Sequence, residues 1–331
     1  MTKGTILSGM RPTGPLHIGH LVGALSNWAS LQDSYRCFFM VADWHALMSE
    51  YESPEVVREA TLQVAIDFMA CGLDPERSTI FVQSDVPEHI ELYMAFSFVT
   101  PLGWLERCPT YKEQLRNITD RDISNYAFLG YPVLQAADIL VYKADTVPVG
   151  EDQLPHLELT REIGRRFNHL YGGIFPEPQA MLTNAPRFLG LDGRKMSKSY
   201  GNYISLSDTA EDIRAKVMTM FTDPQRQRKS DPGRPEICNV HRYFDIFAPD
   251  EAREVADKCR KAEWGCTDCK MRIAEILESR ISPIRERQAA LMADPAEVED
   301  ILTRGAQQAR DVAEATMAEV RPAIGLKGTR R

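Results

Sequence analysis

The stretch Arg11-Pro12-Thr13-Gly14-Pro15-Leu16-His17-Ile18-Gly19-His20 decides how the chain is read. An apolar run, Thr5-Ile6-Leu7-Ser8, precedes it and predicts a β-strand. Leu21, Val22, Leu25 and Trp28 follow at i, i+1, i+4 and i+7, which predicts a helix. A strand, a Gly/Pro turn and a helix start place free N–H groups and a partial positive charge where a phosphate can sit. His17 and His20 are three apart and share one face of that helix start. Gly19 has no side chain, so a flat ring can approach the backbone there. Taken alone, the same residues also describe a turn with two surface histidines.

A second stretch, Gly193-Arg194-Lys195-Met196-Ser197-Lys198-Ser199-Tyr200-Gly201-Asn202, weighs against the plainer reading. It sets two lysines and two serines between glycines, in a segment expected to be a mobile loop. Lys195 and Lys198 can close on a triphosphate as point charges, and the hydroxyls of Ser197 and Ser199 can donate to its oxygens.

The 331 residues suggest one large or two moderate domains. A hydrophobic share of 44% and a charged share of 26% are ordinary for a soluble globular protein. Met1-Thr2-Lys3-Gly4 runs directly into the first strand, so no export leader is expected, and no apolar run is long enough to span a bilayer. The net charge of -8 argues against non-specific nucleic-acid binding, so any RNA contact must use local basic patches; Arg226-Gln227-Arg228-Lys229 marks a basic segment expected to be flexible. Seven cysteines without an export signal point to the reducing cytoplasm, where clustered cysteines suggest a metal site rather than disulfides.

Cys37-Phe38-Phe39-Met40-Val41 is a continuous apolar run, expected as a strand buried on both faces. Asp43-Trp44-His45-Ala46 follows at its carboxyl end, where ligands sit in open α/β sheets. Ser53-Pro54 starts a helix carrying Val56, Ala60, Val64 and Phe68, and Gly72 stops it. Ser78 to Gln83 predicts another strand. This alternation implies an α/β fold with a doubly wound parallel sheet of the Rossmann type. Residues from about 86 to 130 break the pattern with an aromatic-rich helical insertion. In the helix that follows, Tyr131, Gln135 and Asp138 lie at i, i+4 and i+7, one polar stripe among apolar neighbours. A buried Asp there must hold a hydrogen-bond donor. Thr146 to Val149 predicts a further strand ending in Gly150-Glu151-Asp152-Gln153, with a helix from Pro155 to Asn168. Beyond the lysine-serine loop only helices are expected, at Asp208 to Phe221, Ala252 to Ala262, Met271 to Ile281 and Asp294 to Val320. The last has Asp294 as N-cap and Glu297 completing a capping box. The expected division is therefore a catalytic domain over 1–206 and a helical domain over 207–331.

Together, in this order and separation, the two opening stretches resemble the HIGH and KMSKS signatures of class I aminoacyl-tRNA synthetases. The stretches SGMRPTG (8–14), ADWHAL (42–47), YPVLQAADILVY (131–142), VPVGEDQLPHLELTREIGRRFN (147–168) and DGRKMSKSYGN (192–202) narrow the resemblance to bacterial tryptophanyl-tRNA synthetases. The resemblance runs from Thr5 to about residue 322. It implies a homodimer, with the insertion at the interface, and a helical domain that binds the tRNA anticodon. It implies two steps: L-tryptophan attacks ATP, arriving with Mg²⁺, to give tryptophanyl-adenylate and pyrophosphate, and tRNA(Trp) then takes the acyl group.

Carried over by residue, the resemblance gives His17, His20, Lys195 and Lys198 the catalytic roles. Arg11, Pro12, Thr13, Gly19, Gly150, Glu151, Asp152, Met196, Ser197 and Ser199 then line the ATP site, with Phe188 or Leu189 over adenine. Lys112, in the insertion, could reach the same phosphates. Asp138 accepts the indole N–H, Tyr131 and Gln153 take the α-ammonium, and Gln135, Leu7 and His45 complete the pocket. Many bacterial tryptophan enzymes have Met where Gln135 stands, and tyrosyl-tRNA synthetases share both signatures. Tyrosine activation and a non-catalytic tryptophan sensor are the alternatives, together with a nucleotidyltransferase built on an H-x-G-H loop.

Cys238, Cys259, Cys266 and Cys269 are separated by 20, 6 and 2 residues. Zinc ribbons usually show two close pairs. A subset of bacterial tryptophanyl-tRNA synthetases has nearly this pattern, with a slightly longer first gap, and carries a [4Fe-4S] cluster. Four thiolates suit such a cluster, with zinc as the alternative occupant.

Overall fold

The computed structural model describes residues 2–109, 111–112, 122–182 and 188–327, without the side chain of Ser199. Residues 110 and 113–121 of the expected insertion lie outside the described residues, as does the Ser199 side chain.

In chain order the strands are β1 (Thr5–Met10), β2 (Arg36–Val41), β3 (Thr79–Val82), β4 (Thr146–Val149) and β5 (Gln179–Leu182). The first helical run, α1, comprises Ile18–His20, a π-helical turn at Leu21–Leu25 and Ser26–Leu31. It is followed by α2 (Asp43–Glu50), α3 (Pro54–Ala70), α4 (Glu88–Ser97), α5 (Leu102–Glu106), α6 (Tyr126–Val141) and α7 (Leu154–Tyr171). Then come α8 (Ala210–Met218), α9 (Asn239–Phe247), α10 (Pro249–Arg260), α11 (Cys266–Ala293) and α12 (Pro295–Ala323).

By compactness the chain divides into two units: Met1–Gly14 with Leu25–Asn184 and Asp294–Arg331, and Pro15–Ala24 with Ala185–Ala293. These cuts fall elsewhere than the boundary expected after residue 206.

The first unit holds the sheet, in the order β3-β2-β1-β4-β5, with every pair parallel. Leu7 lies opposite Phe38, and Phe38 opposite Thr79. Five of the six β2 residues, Cys37 to Val41, are buried, as a strand covered on both faces requires. From β1 the chain winds out to β3 on one side and then to β5 on the other. The carboxyl ends of β1 and β4 therefore flank the switch point, where open α/β sheets leave a crevice. Arg11 to Thr13 leave one of these ends, and Gly150 to Gln153 the other.

Strand β5 was not anticipated. Its four residues, Gln179-Ala180-Met181-Leu182, are only half-buried or exposed and follow Pro176-Glu177-Pro178, and an edge strand of four residues is too short to show a period. The helix after the first signature also differs. The π turn resets the 3.6-residue repeat, so Ile18, Leu25 and Trp28 are buried while Leu21 and Val22 are only partly so. Trp28 stacks on Phe39 at 5.3 Å and meets Phe68 edge-on at 5.6 Å.

Helix α12 belongs to this first unit and covers β3 and α4. Arg321, 3% exposed in its side chain, forks onto Glu91 with two bonds of 2.8 Å and onto Glu314 at 2.6 and 2.8 Å. A buried guanidinium is tolerable only with such bidentate partners. At the start of α12 the Asp294 carboxylate accepts the Glu297 N–H at 3.2 Å, so of the expected capping box only the Asp294 half forms.

The second unit is helical beyond the lysine-serine loop, with α8 to α11. Helix α11 is longer than expected and continues through Pro283. Pro inside a helix costs about 3 kcal/mol. Burial of Ile273, Ile276, Leu277, Ile281 and Ile284 on both sides of it offsets this, at about 1.5–3 kcal/mol per side chain.

Candidate active site

In the first unit, Asp138 is 2% exposed and holds three donors. Its Oδ2 is 2.7 Å from His45 Nε2. Its Oδ1 accepts from Gln83 Nε2 at 2.8 Å and lies 2.6 Å from His89 Nδ1. His89 Nε2 in turn lies 2.7 Å from the Tyr142 hydroxyl. Burial pushes the carboxyl up, but the charge and hydrogen bond of His45, followed by His89, outweigh it and bring Asp138 to about 2. The expectation that a buried Asp here must hold a donor is met three times over.

Each partner comes from a different element at the sheet's carboxyl edge. His45 is on α2 after β2, Gln83 is in the turn after β3, and His89 is on α4. Tyr142 caps α6 one turn beyond Asp138. The Tyr131 hydroxyl lies 2.9 Å from His156 Nε2. Burial lowers His156, Asp152 pulls it back up and His45 lowers it. Desolvation lowers the Arg11 guanidinium, with Glu50 and Tyr131 acting against it. Glu151, Asp152 and Gln153 form an exposed 3₁₀ turn, Gln135 is half-buried on the Asp138 helix, and Leu7 is buried within β1. Pro12 is buried, and the Thr13 N–H donates to the Arg11 carbonyl at 3.0 Å.

In the second unit, the two signatures meet. The His17 and His20 rings stack with centroids 3.7 Å apart, and the His17 N–H donates to His20 Nδ1 at 3.1 Å. A Cβ on Gly19 would stand 2.9 Å from His17 Nδ1, so only glycine lets this ring lie against the turn. Burial drives His17 down to about 4, and the Lys198 charge lowers it further within that total. His20 falls well below its ordinary value through burial, then through His17 and Lys198. Both imidazoles are therefore neutral at pH 7, and the cationic charge beside them is Lys198.

The loop that carries Lys198 is fastened by Asn202, which was not anticipated. Asn202 Oδ1 accepts the Ser197 N–H at 2.9 Å, and its amide donates to Asp192 at 2.7 Å and to the Lys195 carbonyl at 3.1 Å. Leu189 pairs with Lys195 as an isolated bridge, and the Met196 N–H donates to Phe188 O at 3.1 Å. Phe188 itself packs into the core on Tyr243, with centroids 5.0 Å apart, which leaves the half-buried Leu189 as the better placed of the two adenine candidates.

The four cysteines of the second unit converge. Burial raises the Cys269 thiol to about 12, and Cys259, Cys238 and Cys266 push it the same way, so all four sulfurs lie within electrostatic reach. Cys238 is raised by burial against the amides of His241 and Val240 at the start of α9. Arg226 Nη1 lies 3.6 Å from Cys259 Sγ. Among the described residues no group of three or more His, Cys, Asp or Glu is placed to hold a single metal ion.

Gln83, His89, Tyr142 and His156 escaped the sequence reading, although Tyr142 stands at i+4 from Asp138, a face-sharing position that was legible. The pH consequence concerns His17. Its folded-state value of about 4 lies below the ordinary 6.5, so its stabilising contribution is complete above pH 6.5 and is lost as pH falls from there through 4. The loss is about 2–3 kcal/mol. Urea midpoints of the unsubstituted protein should fall across that window, and those of His17→Asn should fall less. Parallel curves would refute the assignment.

The family of class I tRNA synthetases (W and Y) matches residues 2–282. Tryptophan–tRNA ligase of Thermotoga maritima is 51% identical over 324 residues, 97% of this chain and 99% of that protein. The ligase of Aquifex aeolicus is 43% identical over 392 aligned residues, 97% of this chain and 99% of that protein. The crystal structure of tryptophanyl-tRNA synthetase from Campylobacter jejuni, complexed with ADP and tryptophan, superposes with a TM-score of 0.88 at 32% identity, covering 97% of this chain and 100% of that one. This chain therefore belongs to the class I tRNA synthetases of the W and Y group, and within it to the tryptophan–tRNA ligases.

Proposed function

We propose that this protein activates L-tryptophan with ATP and transfers it to tRNA(Trp), with Asp138 as the acceptor of the indole N–H. The buried, ionised Asp138 carries this reading. An acceptor that is desolvated and fixed rejects side chains that bring no donor to it, because its charge would be left short of a partner. Phenylalanine has no such donor, and tyrosine carries its hydroxyl elsewhere.

In the first step the substrate carboxylate attacks the α-phosphorus of ATP, the bond to the bridging oxygen breaks, and pyrophosphate leaves. No covalent enzyme intermediate is needed, so the protein positions groups and stabilises charge. We assign Lys195 and Lys198 to the leaving pyrophosphate. The neutral His17 and His20 serve as hydrogen-bond partners rather than cations. Arg11, Pro12, Thr13, Gly19, Met196, Ser197 and Ser199 border the phosphates, Gly150, Glu151 and Asp152 the ribose, and Leu189 the adenine. Tyr131 and Gln153 take the α-ammonium, with Gln135, His45 and Leu7 around the substrate. Mg²⁺ comes with ATP as substrate. The helical region 207–331 takes the tRNA anticodon, and the reaction belongs to the cytoplasm. No described helix is long and apolar enough to cross a membrane.

Two further assignments rest on separate observations. The first is that Cys238, Cys259, Cys266 and Cys269 hold a [4Fe-4S] cluster with no part in the acyl chemistry. What supports it is the convergence of the four sulfurs together with Arg226, whose buried Nε has no partner among the described residues while Nη1 reaches Cys259. A Cβ on Gly233 would stand 2.5 Å from Cys259 Sγ, so only glycine lets the backbone pass this close to the sulfur. When bound, such a cluster would crosslink the loop before α9 to α10 and α11. The second is a homodimer through α4, α5 and the start of α6. There Met94, Phe98, Leu102 and Tyr126 are exposed, Phe98 to 67%, an unusual apolar display for a monomer surface.

Four measurements check these assignments. ATP–pyrophosphate exchange should require tryptophan and not tyrosine, and equal rates with both would overturn the amino-acid assignment. Lys195→Ala should lower that exchange about a hundredfold or more while calorimetry shows tryptophan still bound, and wild-type exchange would remove Lys195 from the pyrophosphate. Anaerobically purified protein should contain about four irons per chain and absorb near 400 nm. Zinc alone would reject the cluster. Sedimentation at micromolar concentration should give twice the chain mass, and Phe98→Glu should halve it; a monomer in the unsubstituted protein would exclude the dimer.

A further inference from the structure

We propose that His89, anchored by Tyr142, is a positioning residue that sets amino-acid selectivity by fixing the orientation of the Asp138 carboxylate. The inference rests on the reading of Asp138 as the indole acceptor.

An ionised carboxylate offers about four lone-pair positions, two on each oxygen. Gln83 and His89 occupy both on Oδ1, at 2.8 and 2.6 Å. His45 occupies one on Oδ2, at 2.7 Å. A single position on Oδ2 is left, so the carboxylate can take one further N–H from one direction only. Rotation about the Asp138 side chain would break the two bonds to Oδ1, whose donors stand on different elements, the turn after β3 and α4.

Of the two ring donors, His89 is the one sealed from water. Its side chain is 0% exposed, whereas that of His45 is 13% exposed. The far nitrogen of His89 is also fixed, by the Tyr142 hydroxyl at 2.7 Å. Tyr142 is clamped in turn by Phe38, stacked at 4.5 Å and 19°. The ionised Asp138 can only accept, so Nδ1 turns an N–H to it, and the phenol, kept protonated by burial with Asp138 and Glu88, has an O–H to offer Nε2. Both contacts call for the tautomer protonated on Nδ1. Without the phenol, His89 Nε2 would lose its partner and the ring its second anchor.

The test compares tryptophan with β-(benzothiophen-3-yl)alanine, in which sulfur replaces the indole N–H. The readout is the ratio of their kcat/KM values in ATP–pyrophosphate exchange. The unsubstituted enzyme should favour tryptophan by a factor on the order of 10⁴. His89→Leu should lower that ratio about tenfold to a hundredfold, with KM for tryptophan rising and KM for ATP unchanged. His89→Asn places an amide N–H near the position of Nδ1 and should restore most of the ratio. Tyr142→Phe keeps volume and packing and should fall between them, so the outcome does not depend on whether the leucine variant folds. Variants that lose both substrates equally, with the ratio intact, would make His89 merely structural and overturn the inference alone. If the unsubstituted protein shows no tryptophan-dependent exchange, the functional reading fails and this inference fails with it.

Discussion

A buried negative charge must be fully hydrogen-bonded, and in this protein that charge is Asp138. Moving a carboxylate out of water costs several kcal/mol even after relaxation, and partners must return it. The parallel sheet is what makes that return possible. Its order brings the carboxyl ends of β2 and β3 side by side, so His45, Gln83 and His89 can reach one carboxylate from three short connections. A sheet of the same composition with these strands apart would strand the charge. The fold and the network around Asp138 are thus one constraint seen at two scales.

The same electrostatic economy runs the other way around the first signature. His17 and His20 are packed against each other and beside Lys198, and no carboxylate is among the causes acting on either. Burial and a neighbouring cation both disfavour imidazolium, so the rings stay neutral. The charge in this stretch sits on Lys195 and Lys198, on a loop whose backbone is tied to Asn202. This division lets charge reside on the movable lysine side chains while the histidine rings are stacked at the helix start.

How much of this was legible depended on whether a residue announced itself through local pattern or through distant partners. The strands β1 to β4, the shared face of Tyr131, Gln135 and Asp138, and the pairing of the two signatures are periodic or motif-based, and the chain alone conveyed them. Strand β5, four residues long, was too short to show a period, and the π turn at Leu21–Leu25 broke the repeat on which the helix reading relied. The helix expected over Met271 to Ile281 runs on through Pro283, because burial on both sides of that proline cannot be seen locally. Gln83 and His89 are separated from Asp138 by 55 and 49 residues, so nothing but the folded sheet could reveal them. Tyr142 was within reach, since i+4 from a predicted buried acid is where a supporting group would be sought.

Asp138 and Cys269 show what becomes of a buried acid when its surroundings differ. Burial raises both. Around Asp138 the chain supplies three donors, which overcome desolvation and hold the acid at about 2. Around Cys269 it supplies three more thiols, each pushing in the same direction as burial, and the thiol reaches about 12. Arg226 opposes this, but its contact is with Cys259, where burial still prevails. A protein that needed only to fill this volume could have used apolar side chains at lower cost. The Asp138 carboxylate is satisfied by donors of the chain itself, whereas the cysteine thiols give one another no such support and stay protonated.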